Sequence, residues 1–107
     1  MDIMAELYQT VASRRAAPIE NSYTNYLFEQ GLDKICKKIG EECAETIIAA
    51  KNGDPAALIG EVSDVLYHLL VLLCERDVAW DDVRDELARR GAKIGNRKVF
   101  YDADRNT

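Results

Sequence analysis

The stretch from Pro55 to Glu75 constrains the fold more than any other part of the chain. Read as a helix, it is apolar on almost every side beyond Glu61 and Asp64, carrying Val62, Val65, Leu66, Leu69, Leu70, Val71, Leu72 and Leu73. A helix apolar all round is ordinarily buried all round. The chain has 107 residues, which fits one domain spanning 1–107 and leaves no room for a second. A domain of that size buries a limited share of its surface, and a long helical hairpin alone makes a thin core. The expectation is therefore a bundle completed by a second copy, a homodimer. The run Val65 to Cys74 is interrupted by His68 and flanked by Asp64 and Glu75, and it is short for a bilayer. No membrane association is expected.

The segments around this stretch also read as helices. Between residues 32 and 51, Leu32, Ile35, Ile39, Cys43, Thr46, Ile47 and Ala50 recur at the helical period. Asn52-Gly53 predicts the stop, and Asp54 and Pro55 have the chemistry of an N-cap and a first helical position. Upstream, residues 3–14 form a helix with Leu7 and Val11 on one face, and Ser22 caps a short helix from Tyr23 to Gln30. Downstream, Asp77 to Ala79 forms a turn, and Trp80, Val83 and Leu87 mark a last amphipathic helix ending near Gly91. The mixed-charge tail from Lys93 is expected to be partly mobile. No segment shows sustained strand alternation. The expected fold is all-α, a helical hairpin core assembled into a dimeric helix bundle.

Composition narrows the function. With 48% hydrophobic and 31% charged residues the chain is globular. Its formal net charge of -5 argues against a nucleic-acid partner, since such proteins usually carry a basic surface. A small phosphorylated substrate stays admissible, because a metal can reverse the field over an acidic pocket. The opening MDIMAELYQT lacks the pattern of a secretory signal. Cys36, Cys43 and Cys74 show no CxxC arrangement and read as reduced, buried thiols, which places the chain in the cytoplasm.

The candidate chemistry lies in four carboxylates. Glu42 and Glu45 stand at i,i+3 in one helix, Glu61 and Asp64 at i,i+3 in the next, and Glu41 extends the first pair. Spacing alone admits two readings: ordinary solvated helix faces, or a hard-cation site of oxygen ligands. Two details favour the second. Asp64 sits directly before the long apolar run, where a charge needs a partner or a wet cleft. The paired arrangement also recurs on either side of one tight connection. Lys38, one turn before Glu42, either reaches a phosphate or pairs with Glu42. Arg89, Arg90, Lys93, Arg97 and Lys98 offer a phosphate-binding patch or a solvated charge run. His68 reads as a hydrogen-bonded core or interface histidine rather than a ligand, and Trp80 as a packing anchor. Tyr23 and Tyr26 either pack the short helix or line a nucleotide entrance. There is no P-loop signature.

The stretches GLDKICKKIGEECAETIIAAK (31–51) and GEVSDVLYHLLVLL (60–73) resemble the phosphoribosyl-ATP pyrophosphatase family, within the MazG-like nucleotide pyrophosphohydrolases. The pattern EExxE followed by ExxD reads here as Glu41-Glu42-Cys43-Ala44-Glu45 and Glu61-Val62-Ser63-Asp64. SYTNYLF and VRDELARR extend the likeness from about Ser22 to Arg90. The resemblance implies Mg²⁺-dependent hydrolysis of phosphoribosyl-ATP to phosphoribosyl-AMP and pyrophosphate, in histidine biosynthesis, by an all-α dimer. It implies Glu42, Glu45, Glu61 and Asp64 as metal ligands. Within that reading Glu41 and Glu45 are the candidates for accepting the attacking water's proton, and Lys38, Arg89 and Arg90 for substrate binding. Two alternatives remain: a MazG-like enzyme for another nucleoside triphosphate, and a non-catalytic helical interaction module.

Overall fold

A computed structural model describes residues 2–95, with side chains through Ala92. Its five helices are α1 (Ile3–Ala16), α2 (Tyr23–Gln30), α3 (Leu32–Lys51), α4 (Pro55–Glu75) and α5 (Trp80–Gly95). The described part of the chain is all-α.

Local chemistry sets each boundary. The side chains of Asp2, Ser22 and Asp54 cap α1, α2 and α4, accepting from the backbone N–H groups of Met4, Asn25 and Ala57. Pro55 follows Asp54 in the first turn of α4, where its missing N–H costs nothing. Gly31 alone separates α2 from α3. Its φ of 90° lies where residues bearing a Cβ are strained, and its N–H closes α2 on the Leu27 carbonyl. Gly53, at φ 64°, turns the chain between α3 and α4. The last helix departs from expectation. Gly91 does not end it, and α5 continues through Lys93 to Gly95. Glycine ends helices by adopting positive φ, and Gly91 keeps an ordinary helical backbone. Beyond Gly95, the expected mobile tail and the candidate cations Arg97 and Lys98 lie outside the described residues, as does the side chain of Lys93.

α3 and α4 form the central antiparallel hairpin. α1 packs on α4, α2 packs on α3, and α1 and α2 meet each other. The core gathers at the hairpin end farthest from the Asn52-Gly53 turn. There Val11, Leu27, Ile35, Val71 and Cys74 are buried, with Tyr8, Phe28, Ile39, Tyr67 and Leu72 packed around them. Arg15 ties α1 to the end of α4, donating to the Cys74 carbonyl and to Asp77 Oδ1 at 2.7 Å. α5 leans mainly on α1, and Trp80 at its start donates from Nε1 to Asp2 Oδ2 at 3.1 Å. This gives Trp80 the expected packing role.

Near the turn the picture reverses: Ile47, Ile48 and Ile59 are 63%, 58% and 69% exposed, and along one face of α4 Val62, Leu66 and Leu69 are also open to solvent. The predicted stripe of α3 thus faces the core only in its first half; beyond Ile39 the buried positions are Glu42 and Ala49, not Cys43, Ile47 or Ala50. Of the three thiols expected to be buried, only Cys74 is. Cys43 lies on the uncovered apolar face, lining a shallow recess with Thr46, Ile47, Val62, Val65 and Leu66. α4 is also long and apolar enough, by length and composition, to cross a membrane. The core helix of a bundle meets the same criteria, and α4 carries Glu61 and Asp64 within its length.

Candidate active site

The helical register brings acids together across the middle of the hairpin. Glu42 and Glu45 project from α3 and Glu61 from α4, with one oxygen of each within 4.8 Å of the others. Glu42 is buried, Glu61 half-buried and Glu45 exposed. Glu42 Oε2 and Glu61 Oε2 are themselves buried without a hydrogen-bond partner among the described residues. Buried carboxylate oxygens ordinarily find a donor or a cation.

Electrostatics at the group are severe. The nearby carboxylate of Glu42 first, then that of Glu45, favours the protonated form of Glu61, and desolvation adds to the effect. The Glu61 carboxyl is pushed from 4.5 up to about 7. Three carboxylates this close conflict when ionised, and a divalent cation resolves the conflict by supplying positive charge to otherwise unpartnered oxygens. The donor set, all carboxylate oxygen, suits a hard cation. The residues present therefore fit a divalent metal.

The remaining predicted site residues are distributed unevenly. Asp64, one turn beyond Glu61, is exposed, and its carboxylate is not part of the close group. Glu41 points to the basic side of α3, where Lys38 Nζ lies 3.4 Å and Lys37 Nζ 4.0 Å from its oxygens. Lys38 is thus paired with Glu41 rather than with Glu42. Arg89 and Arg90 sit on α5, both bound to Glu86 at 2.5 to 2.9 Å. Those two guanidinium groups pull the Glu86 carboxyl down to about 2. Because α5 leans on α1, the structure does not bring these arginines to the carboxylate group within one chain.

His68 is buried at 4% exposure, and both its ring nitrogens are engaged. Nδ1 lies 2.7 Å from the Asp64 carbonyl oxygen, and Nε2 lies 2.9 Å from the Tyr23 hydroxyl. The expected hydrogen-bonded histidine is what the structure contains. Tyr23 stacks between Tyr26 and Tyr67, with centroids 6.1 and 6.3 Å away. Sequence spacing could not reveal the Tyr23–His68 contact, which joins helices far apart in the chain.

The phosphoribosyl-ATP pyrophosphohydrolase family model matches residues 4–91, a span containing every carboxylate described above. The chain belongs to this family. A phosphoribosyl-ATP pyrophosphatase of Clostridium novyi is 51% identical over 98 residues, covering 92% of this chain and 89% of the relative. One from Pelotomaculum thermopropionicum is 58% identical over 92 residues, covering 86% and 94%. A histidine biosynthesis bifunctional protein of Lactococcus lactis is 45% identical over 100 residues, which cover 94% of this chain and 47% of that protein. The family member described here thus corresponds to about half of that bifunctional relative.

Proposed function

We propose that this chain hydrolyses phosphoribosyl-ATP to phosphoribosyl-AMP and pyrophosphate, a step of histidine biosynthesis, with Mg²⁺ as cofactor. The observation that carries the reading is the convergence of Glu42, Glu45 and Glu61, with two buried, unpartnered oxygens, inside the family-matched span. Glu42, Glu45 and Glu61 would hold the cation, with Asp64 joining them from the next turn of α4. Bound there, Mg²⁺ supplies charge neutralisation and polarisation of the phosphoanhydride.

The chain's own residues do the rest. Glu45 is exposed, which suits it to accept the proton of a water attacking the α phosphorus. Glu41 is the weaker candidate for that task, since its oxygens face Lys37 and Lys38. Its role is to hold Lys38 where the ammonium meets a phosphate oxygen. Arg89 and Arg90 contribute to substrate binding in the site of the partner chain, because their own helix lies away from the carboxylates.

The assembly is a homodimer. Ile47, Ile48, Ile59, Val62, Leu66 and Leu69 form an apolar face that a second hairpin covers, giving the bundle that one chain leaves open. Residues 1–107 act as one catalytic domain. The site is cytoplasmic, with no nucleic-acid or membrane partner, in keeping with an acidic surface and free thiols.

The deciding experiment measures Mg²⁺-dependent pyrophosphate release from phosphoribosyl-ATP, ATP, dUTP and dCTP. A clear preference for phosphoribosyl-ATP is expected. Preference for a simple triphosphate would reassign the substrate, and no release from any of them by folded dimer would make the chain an interaction module.

A further inference from the structure

Beside the carboxylates stands a group of aromatic rings that metal binding does not explain. The Asp64 carbonyl can only accept, so the His68 Nδ1 lying 2.7 Å away carries the hydrogen. In the neutral imidazole this leaves Nε2 as an acceptor, so the Tyr23 hydroxyl at 2.9 Å donates to it. Desolvation pushes this phenol above its ordinary 10.0, so it keeps its hydrogen. The next residue, Thr24, pairs through its hydroxyl with that of Tyr67. The start of α2 is thus pinned to α4 at two adjacent points. The Tyr23 ring is tilted only 23° from that of Tyr26 and 29° from that of Tyr67. This packing does not use the rings up, since Tyr23 is 46% and Tyr26 41% exposed.

We propose that the ring of Tyr23, held by His68, is the stacking contact for the purine base of the nucleotide whose phosphates lie at the carboxylates. The inference deepens the nucleotide reading and rests on it. Glu61, Asp64 and His68 follow one another at i,i+3 and i,i+4 along one face of α4. Two helical turns, about 10 Å, therefore separate Glu61 from the histidine that holds Tyr23. That separation suits a nucleotide, whose base stands one ribose away from its α phosphate. The hydroxyl also limits what Tyr23 can offer. Its one hydrogen is committed to His68, so it has none to give to a phosphate oxygen. What remains for a ligand is the ring, and a ring already held in place stacks on a base at little entropic cost. Stacking uses the face of the purine, so a phosphoribosyl group carried on its edge leaves the contact open. Trp80 is bound instead to Asp2, where α5 meets α1.

The test is calorimetry on the full-length protein with Mg²⁺ and two probes. One is α,β-methylene-ATP, which carries the base and resists cleavage between its α and β phosphates. The other is inorganic tripolyphosphate, which carries phosphates alone. Tyr23→Leu removes the ring and should weaken α,β-methylene-ATP binding about 5- to 150-fold, the worth of one base stack. Tripolyphosphate binding should stay unchanged. Tyr23→Phe keeps the ring and loses only the bond to His68, so its loss should be smaller, about threefold. No loss in Tyr23→Leu, equal losses in the two variants, or an equal loss for the two probes would each overturn the stack. A second readout needs no variant. In wild-type protein saturated with Mg²⁺-α,β-methylene-ATP, the adenine protons should show nuclear Overhauser contacts to the Tyr23 ring, and their absence would overturn the proposal. Wild-type protein that binds no α,β-methylene-ATP would overturn it as well. Failure of the enzymatic reading looks different: the base would stack on Tyr23 while phosphoribosyl-ATP stays intact. Circular dichroism confirms that each variant is folded.

Discussion

At its open end the α3–α4 hairpin is enclosed by α1 and α2; toward its turn none of the described residues outside the hairpin covers it. Both halves carry the same kind of residue. Ile35, Leu70 and Val71 are fully buried in the first, while Ile47, Ile59 and Val62 stand exposed in the second. The carboxylate group sits at the seam. One side of it is fixed by packing within the chain, and the other borders the exposed apolar face. In the proposed dimer the open end supplies stability to the single chain, and the exposed face supplies association.

The comparison breaks first at the seam. Glu45→Gln or Asp64→Asn should lower pyrophosphate release by more than about 100-fold, since even outer-shell partners of metal sites typically cost about 10- to 100-fold. Circular dichroism should show unchanged helicity, and normal turnover in both variants would remove these acids from the site. Leu66→Glu should weaken dimerisation by on the order of 100-fold or more, as an unpaired charge in an interface costs several kcal/mol. Sedimentation would show this as folded monomer, and an intact dimer would place the interface elsewhere. Leu70→Ala, on the enclosed side, should cost about 2–5 kcal/mol in urea unfolding at fixed protein concentration. A loss no larger than that of Ile59→Ala in monomer would erase the distinction between the halves.

Two smaller effects sharpen the contrast. The Glu61 carboxyl sits at about 7 in the folded protein against 4.5 ordinarily, so the folded state retains a proton that the unfolded chain releases. Metal-free stability is then greatest below the ordinary value and declines as pH rises through the window from 4.5 to about 7. Thermal melts without metal should fall across that window. Glu61→Gln should flatten the decline, and saturating Mg²⁺ should raise the melting temperature most above it. A flat wild-type profile would mean that Glu42 and Glu45 do not raise the Glu61 carboxyl. Last, Asp54→Ala removes the cap of α4 and should cost about 1 kcal/mol by urea unfolding, with little change in the dimer constant.

Much of this architecture could be read from the residues. Ser22, Asn52-Gly53 and Asp54-Pro55 are strong local signals, and α2, α3 and α4 begin and end where those signals put them. The end of α5 could not be read the same way, because Gly91 stops a helix only if its backbone turns to positive φ. The acid cluster was legible as a constellation and less so as a geometry. Spacing at i,i+3 puts two groups on one side of a helix, but whether both point into the same gap depends on helix packing. Glu61 does so with Glu42 and Glu45, while Asp64 stays outside the close group. Likewise, the preference of Arg89 and Arg90 for Glu86 is local and readable, yet their remoteness from the acids follows from α5 docking on α1. The Tyr23–His68 bond had no sequence signal at all, being a product of how α2 and α4 meet.

Gly31 carries one more consequence. With φ 90° and ψ -174° it occupies a backbone region essentially restricted to glycine, and a Cβ placed there would touch no neighbour. Any side chain at this position would therefore act through torsion alone, not through collision. Because this one residue is the whole joint between α2 and α3, the torsion would swing Tyr23 relative to Lys38 and Glu42 like two arms on a common pivot. A protein altered only there could keep all its packing atoms and all its acids, yet hold them at the wrong angle.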